Sequence, residues 1–115
     1  MTLSVFVDDP AADPDDVSAC FIEPAGFESY RRRLWGTDAI RTRAALLGQI
    51  AEDLYVSPAQ FDEFEWQCQV VVTSADQIAD ELGWESGDAI RGYMRSFLAA
   101  LAFARAKSSN EIYIG

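Results

Sequence analysis

The stretch that most constrains this chain is Ser86 to Lys107, S-G-D-A-I-R-G-Y-M-R-S-F-L-A-A-L-A-F-A-R-A-K. Ile90, Tyr93, Met94, Phe97, Leu98, Leu101 and Ala104 recur at helical spacing, so one wide apolar stripe must be buried. Ser86 is placed to cap the first turn, Asp88 suits its positive end, and Arg105 and Lys107 suit the negative end. A strand-like tail, Ile112-Tyr113-Ile114, follows at once, and the remainder must pack on this helix and tail. At 115 residues the chain is expected to be a single domain, residues 1–115, able to bury a core without staples.

Reading from the front, Leu3, Val5 and Val7 alternate with Phe6 and predict a strand over Thr2 to Val7. The segment 8–16, with two prolines and five aspartates, reads as a solvated loop. It lacks the glycine and closing glutamate of a calcium loop. Val17 to Ile22 predicts a second strand, paired with the first. Pro24 opens an expected helix to Trp35 with Phe27, Tyr30 and Leu34 inward, and Gly36 ends it. From Thr37 or Asp38 a further helix is expected, carrying Ile40, Ala44, Leu47, Ile50, Ala51 and Leu54. Gly48 within it marks a close helix crossing. Ser57-Pro58 starts another, F-D-E-F-E-W-Q-C-Q-V-V-V, whose inner face is Phe61, Phe64, Cys68, Val71 and Val72. The expected fold class is α+β: a small sheet of two N-terminal strands and the C-terminal strand, packed with four to five helices.

Charge is distributed in blocks. Nineteen acids against nine bases give a net −10. Residues 31–43 hold five arginines and one acid, whereas residues 44–90 hold ten acids and no base. Two readings follow. The basic blocks pair with the acidic ones across the fold, as expected of Arg31-Arg32-Arg33. Alternatively the acidic segment forms a one-signed face for a cationic partner, which opposite charge would recruit quickly. Trp66 stands opposite the apolar face of its helix, among Asp62, Glu63 and Gln69. Either a second layer buries it or it is an exposed anchor with an acidic rim, the usual build of an interface hot spot.

Thr73 to Leu98 resembles a helix-turn-helix. Ile78, Ala79 and Leu82 pack the first helix, Gly83 sits at the turn, Trp84 fills the apolar position after it and Ser86 starts the second helix. The resemblance implies a DNA-reading regulator or an antitoxin. The charges oppose that: Asp76, Asp80, Glu81, Glu85 and Asp88 crowd the two helices and the turn, against Arg91 and Arg95. Phosphate contact needs the reverse sign, so nucleic acid is not the expected partner.

Chemistry is sparse. With no histidine, the usual nucleophile pairs and most zinc sites are missing. There is no phosphate-cradling glycine loop. The adjacent carboxylates Glu52-Asp53, Asp62-Glu63 and Asp80-Glu81 diverge by about 100° on a helix rather than converge. No enzyme activity, cofactor or metal is expected. Cys20 and Cys68, isolated in apolar surroundings, fit free thiols in a reducing cytoplasm. No run is long and apolar enough to span a membrane, and no signal peptide is legible. The closing helix and strand, residues 86–115, are similar in topology to the end of the barstar family, acidic inhibitors of a ribonuclease, a likeness that the first half of the chain does not share.

The expectation is therefore a small acidic cytoplasmic binding protein, of the kind that gives a bacterium immunity to a toxin by covering a cationic active site. Its partner would be a basic protein, a toxin or a nucleic-acid-binding enzyme. The expected contact residues are Asp62, Glu63, Trp66, Asp76, Asp80, Glu81, Trp84, Glu85 and Asp88. The alternatives are the helix-turn-helix regulator and a non-catalytic scaffold subunit.

Overall fold

The computed structural model describes residues 2–11 and 21–115. The expected solvated loop, residues 8–16, and the first part of the expected second strand, with Cys20, fall mainly outside them. The fold is α+β. Four strands, β1 (Thr2–Val7), β2 (Phe21–Phe27), β3 (Leu54–Val56) and β4 (Ile112–Ile114), form one sheet in the order β2-β1-β4-β3. Every neighbouring pair is antiparallel. The helices are α1 (Asp38–Arg41), α2 (Ala45–Gly48), α3 (Phe61–Thr73), α4 (Ala75–Leu82) and α5 (Asp88–Lys107).

Strand alternation explains the sheet's two faces. Leu3, Val5 and Val7 of β1, Leu54 and Val56 of β3, and Ile112 and Ile114 of β4 all turn inward and are fully or almost fully buried. They meet the inner stripe of α5: Ile90, Met94, Phe97, Ala100, Leu101 and Ala104. Tyr93 and Leu98, expected on that stripe, lie at its half-buried margin. Phe64 of α3 stacks on Phe97 at 6.0 Å, which joins the second helical layer to the first.

Three expectations need correction. The second strand extends to Phe27, so Pro24 opens no helix and instead sits within β2. Proline is tolerated there because β2 is an edge strand whose missing N–H costs no ladder bond. The chain then leaves through Gly26, whose φ of +107° only glycine adopts readily. Residues Arg31–Trp35 follow as a wide π-type turn, closed by the Gly36 N–H donating to the Arg31 carbonyl at 2.9 Å.

The long helix expected after Thr37 is broken into α1, α2 and a 3-10 turn, and Leu54 belongs to strand β3. Ala44 is the break: its φ of −149° and ψ of 75° are not helical. The close approach expected at Gly48 exists, but within this folded-back pair. A Cβ on Gly48 would stand 2.9 Å from Arg41 Cγ. Strand β3 itself, three residues long, had no counterpart among the expected strands.

Candidate functional site: an acidic helical surface

Helix α3 begins where Ser57-Pro58 predicts, through a 3-10 turn in which Gln60 Oε1 accepts from the Ser57 N–H at 3.1 Å. Phe61, Phe64, Cys68 and Val71 are buried as expected, and Val72 is half-buried. The Cys68 thiol is pushed up to about 12 by burial, so it is an inert core group. Trp66 projects from the other face and is 63% exposed, so no second layer covers it. Beside it, Asp62 and Glu65 both accept from Arg105 of α5 at 2.7 Å. Glu63 accepts from Gln67 Nε2 at 3.1 Å.

One residue of connection, Ser74, separates α3 from α4. Gly83 ends α4 in the left-handed conformation, φ 74°, and the Trp84 N–H closes the turn on the Ala79 carbonyl at 2.8 Å. The chain then packs very closely. A Cβ on Gly87 would fall 2.5 Å from the carbonyl carbon of Ala75, so only glycine lets the starts of α4 and α5 touch. Asp76 locks this joint. Its Oδ1 accepts from the Gly87 N–H at 3.0 Å and from Arg91 Nη1 at 3.1 Å. These bonds, the backbone one first, hold the Asp76 carboxyl below its ordinary range. Arg91 also pairs with Asp88.

Glu81 serves a different contact. Its two oxygens accept from Arg43 at 2.8 and 3.2 Å, which lowers its pKa and ties α4 to the turn after α1. The nine expected contact residues therefore do not form one patch. Asp76, Asp80, Trp84 and Glu85, with Gln77 and Ser86, line one open concavity of about 410 Å³. Glu81 lines another, with Arg43. Asp62, Glu63 and Trp66 stand apart on α3. Within the concavity only Asp80 and Glu85 carry charge that no arginine or lysine of the described residues meets. Trp84 forms its wall, half-buried, with its ring 5.5 Å from that of Tyr30.

The first reading of the charge blocks holds in part. Arg31, Arg43, Arg91 and Arg105 are ion-pair partners, as the first reading requires. Arg32 and Arg33 correct the expectation made for the arginine run: neither has a carboxylate partner among the described residues, and both are exposed. What sequence reasoning missed is Gln67. It is buried, and its Oε1 accepts from the Leu46 and Leu47 N–H groups at 2.8 and 3.3 Å. It thus caps α2, which has no cap of its own. A glutamine on the boundary of an apolar helix face was the only signal.

The residues expected in a helix-turn-helix do form two helices joined by a glycine turn. Arg91 is spent on Asp76 and Asp88, leaving Arg95 as the exposed cation near the start of α5. Among the described residues, no group of three or more histidine, cysteine or acidic side chains is placed to hold a metal. No helix of the described residues is long and apolar enough to cross a membrane. No family model, no curated protein and no solved structure matches this chain.

Proposed function

We propose that the protein is an acidic inhibitor that binds a basic protein, most simply as an immunity protein covering the cationic cleft of a bacterial toxin. The observation that carries the reading is the concavity walled by Trp84, in which Asp80 and Glu85 hold uncompensated charge. A half-buried aromatic fixed from behind by Tyr30 loses little entropy on binding, and a carboxylate rim supplies steering. Exposed Trp66, one helix away, offers a second anchor to a partner large enough to reach both. The acidic composition and the closing helix and strand, similar in topology to the barstar family, point the same way. The helix-turn-helix reading is weaker, because its cation nearest the reading helix's start is already paired inside the fold.

The test is capture from the source organism's lysate at low salt, repeated with Asp80→Lys/Glu85→Lys. These two residues are chosen because Glu81 and Asp76 also hold the fold together. A single basic protein held by the native chain should bind the reversed variant at least about a hundredfold more weakly, the loss expected from two contacts of about 1.4 kcal/mol each. Undiminished binding by a folded variant would dismiss the acidic concavity as the contact surface.

A further inference from the structure

The outer face of the sheet carries a row of side chains that crosses all four strands. Phe6 pairs with Ile22 in β2 and with Tyr113 in β4, and Tyr113 pairs with Tyr55 in β3. The ring centroids of Phe6 and Tyr113 lie 5.8 Å apart, and those of Tyr113 and Tyr55 lie 4.8 Å apart. Ile22 and Tyr55, at the two ends, are 57% and 56% exposed. The helices lie on the opposite face, where the inward residues of β1, β3 and β4 are buried. Ser4 and Pro24, paired with each other, extend this outer face, and no in-strand residue of it is charged. That is unusual in a chain with 24% charged residues and a net −10.

We infer that this face is a self-association surface, on which a second copy of the chain packs sheet against sheet. Charge selects the occupant. The acidic helices lie behind the sheet, so two copies meeting through their outer faces keep those helices as far apart as the fold allows. Two stacked sheets are about 10 Å apart and each helical layer adds about as much again, beyond the Debye length of about 8 Å at physiological ionic strength. Edge-to-edge growth is blocked, because one edge strand contains Pro24 beside a register shift and the other is only three residues long. Area sets the strength. Four strands of three to seven residues present a face of roughly 15 by 20 Å. This is below the roughly 800 Å² per partner of a standard interface. The dimer is therefore weak and exchanging, and it leaves both acidic concavities free.

Asp53, beside Tyr113 where β3 begins, and Asp8 and Glu111, at the opposite strand ends, give the face an acidic rim. Self-association must then strengthen as salt screens the rim, opposite in sign to capture of a basic partner. Sedimentation equilibrium of the full chain, up to about 1 mM, at about 0.01 M and about 0.15 M ionic strength, tests this. The expected result is a monomer–dimer equilibrium whose association constant rises about tenfold with salt. Tyr55→Thr and Ile22→Thr, each at an exposed edge-strand site and each β-branched, should weaken it at least about tenfold. Trp66→Ala, on the helical side, should leave it unchanged. A monomer in all conditions, a dimer weakened by salt, or a dimer lost with Trp66 and kept without Tyr55 would each overturn the inference. If one threonine variant fails to fold, the other decides.

Discussion

Residues 31–56 and residues 57–107 are both mainly helical, yet they are held in opposite ways. The second region has helices of 13, 8 and 20 residues, each with its own apolar stripe. The first has α1 and α2 of four residues each, a π-type turn and a 3-10 turn. Pieces this short cannot recover the cost of nucleation from their own hydrogen bonds. They are fixed from outside. Trp35 is fully buried, stacks on Phe97 at 5.4 Å and donates Nε1–H to the Ala25 carbonyl at 3.3 Å. Arg31 reaches the Ile50 carbonyl at 3.2 Å and Asp53 at 3.0 Å. Gln67, from the regular region, caps α2. The lesson is that a helix too short to stand alone borrows its hydrogen bonds and its register from distant residues.

The contrast is broken most severely at Trp35. Trp35→Ala should cost about 3–5 kcal/mol, read from the urea midpoint at unchanged slope. A loss under about 1 kcal/mol would mean that residues 31–56 hold themselves together. Next comes Gln67→Met, which keeps volume but leaves two buried N–H groups without an acceptor. It should cost about 1–3 kcal/mol, and hydrogen exchange should quicken at Leu46 and Leu47 more than within α3. Equal acceleration in α3 would show that Gln67 serves its own helix instead. The smallest effect belongs to the joint between α4 and α5. Asp76 titrates below its ordinary value in the folded protein, so its contribution is complete above the unfolded value near pH 4. It is lost as pH falls through the folded value. Asp76→Asn should therefore lower stability modestly at neutral pH, flatten the acid side of the profile below about pH 4, and leave the two proteins alike once Asp76 is protonated. An unchanged acid slope would assign the acid sensitivity elsewhere, with Glu81 the next group to vary.

What could be read from the sequence follows the same division. β1, the inner faces of α3 and α5, and β4 carry their own periodicity, and their buried residues are largely those expected. The break at Ala44 and the strand Leu54-Tyr55-Val56 do not. Three apolar residues after a helical pattern fit one more helical turn as well as a strand, and only pairing with Ile112 to Ile114 decides it. Pro24 misled for a similar reason, since proline is equally at home at a helix start and in an edge strand. At the candidate site the acids were legible as a block, but their division into paired and free was not. Which of them meets an arginine depends on how α1 and α5 lie against α3 and α4, as Arg43 with Glu81 and Arg105 with Asp62 and Glu65 show. The outer row was half visible: Phe6 against the alternation of β1, and Tyr113 between two isoleucines, were its traces.

The pairing of Ser4 with Gly115 has a mechanical consequence. Each backbone bonds the other, at 3.2 and 3.1 Å, at the end of the sheet where β1 begins and β4 ends. A pull applied through Thr2 and Gly115 meets two antiparallel neighbours from the same end. It loads their hydrogen bonds one at a time, as a zipper, rather than all together in shear. Because β4 lies between β1 and β3, the first bonds to part would be those in the middle of the sheet. Tension from flanking chain would thus open the fold along its centre and leave the helical layer to follow.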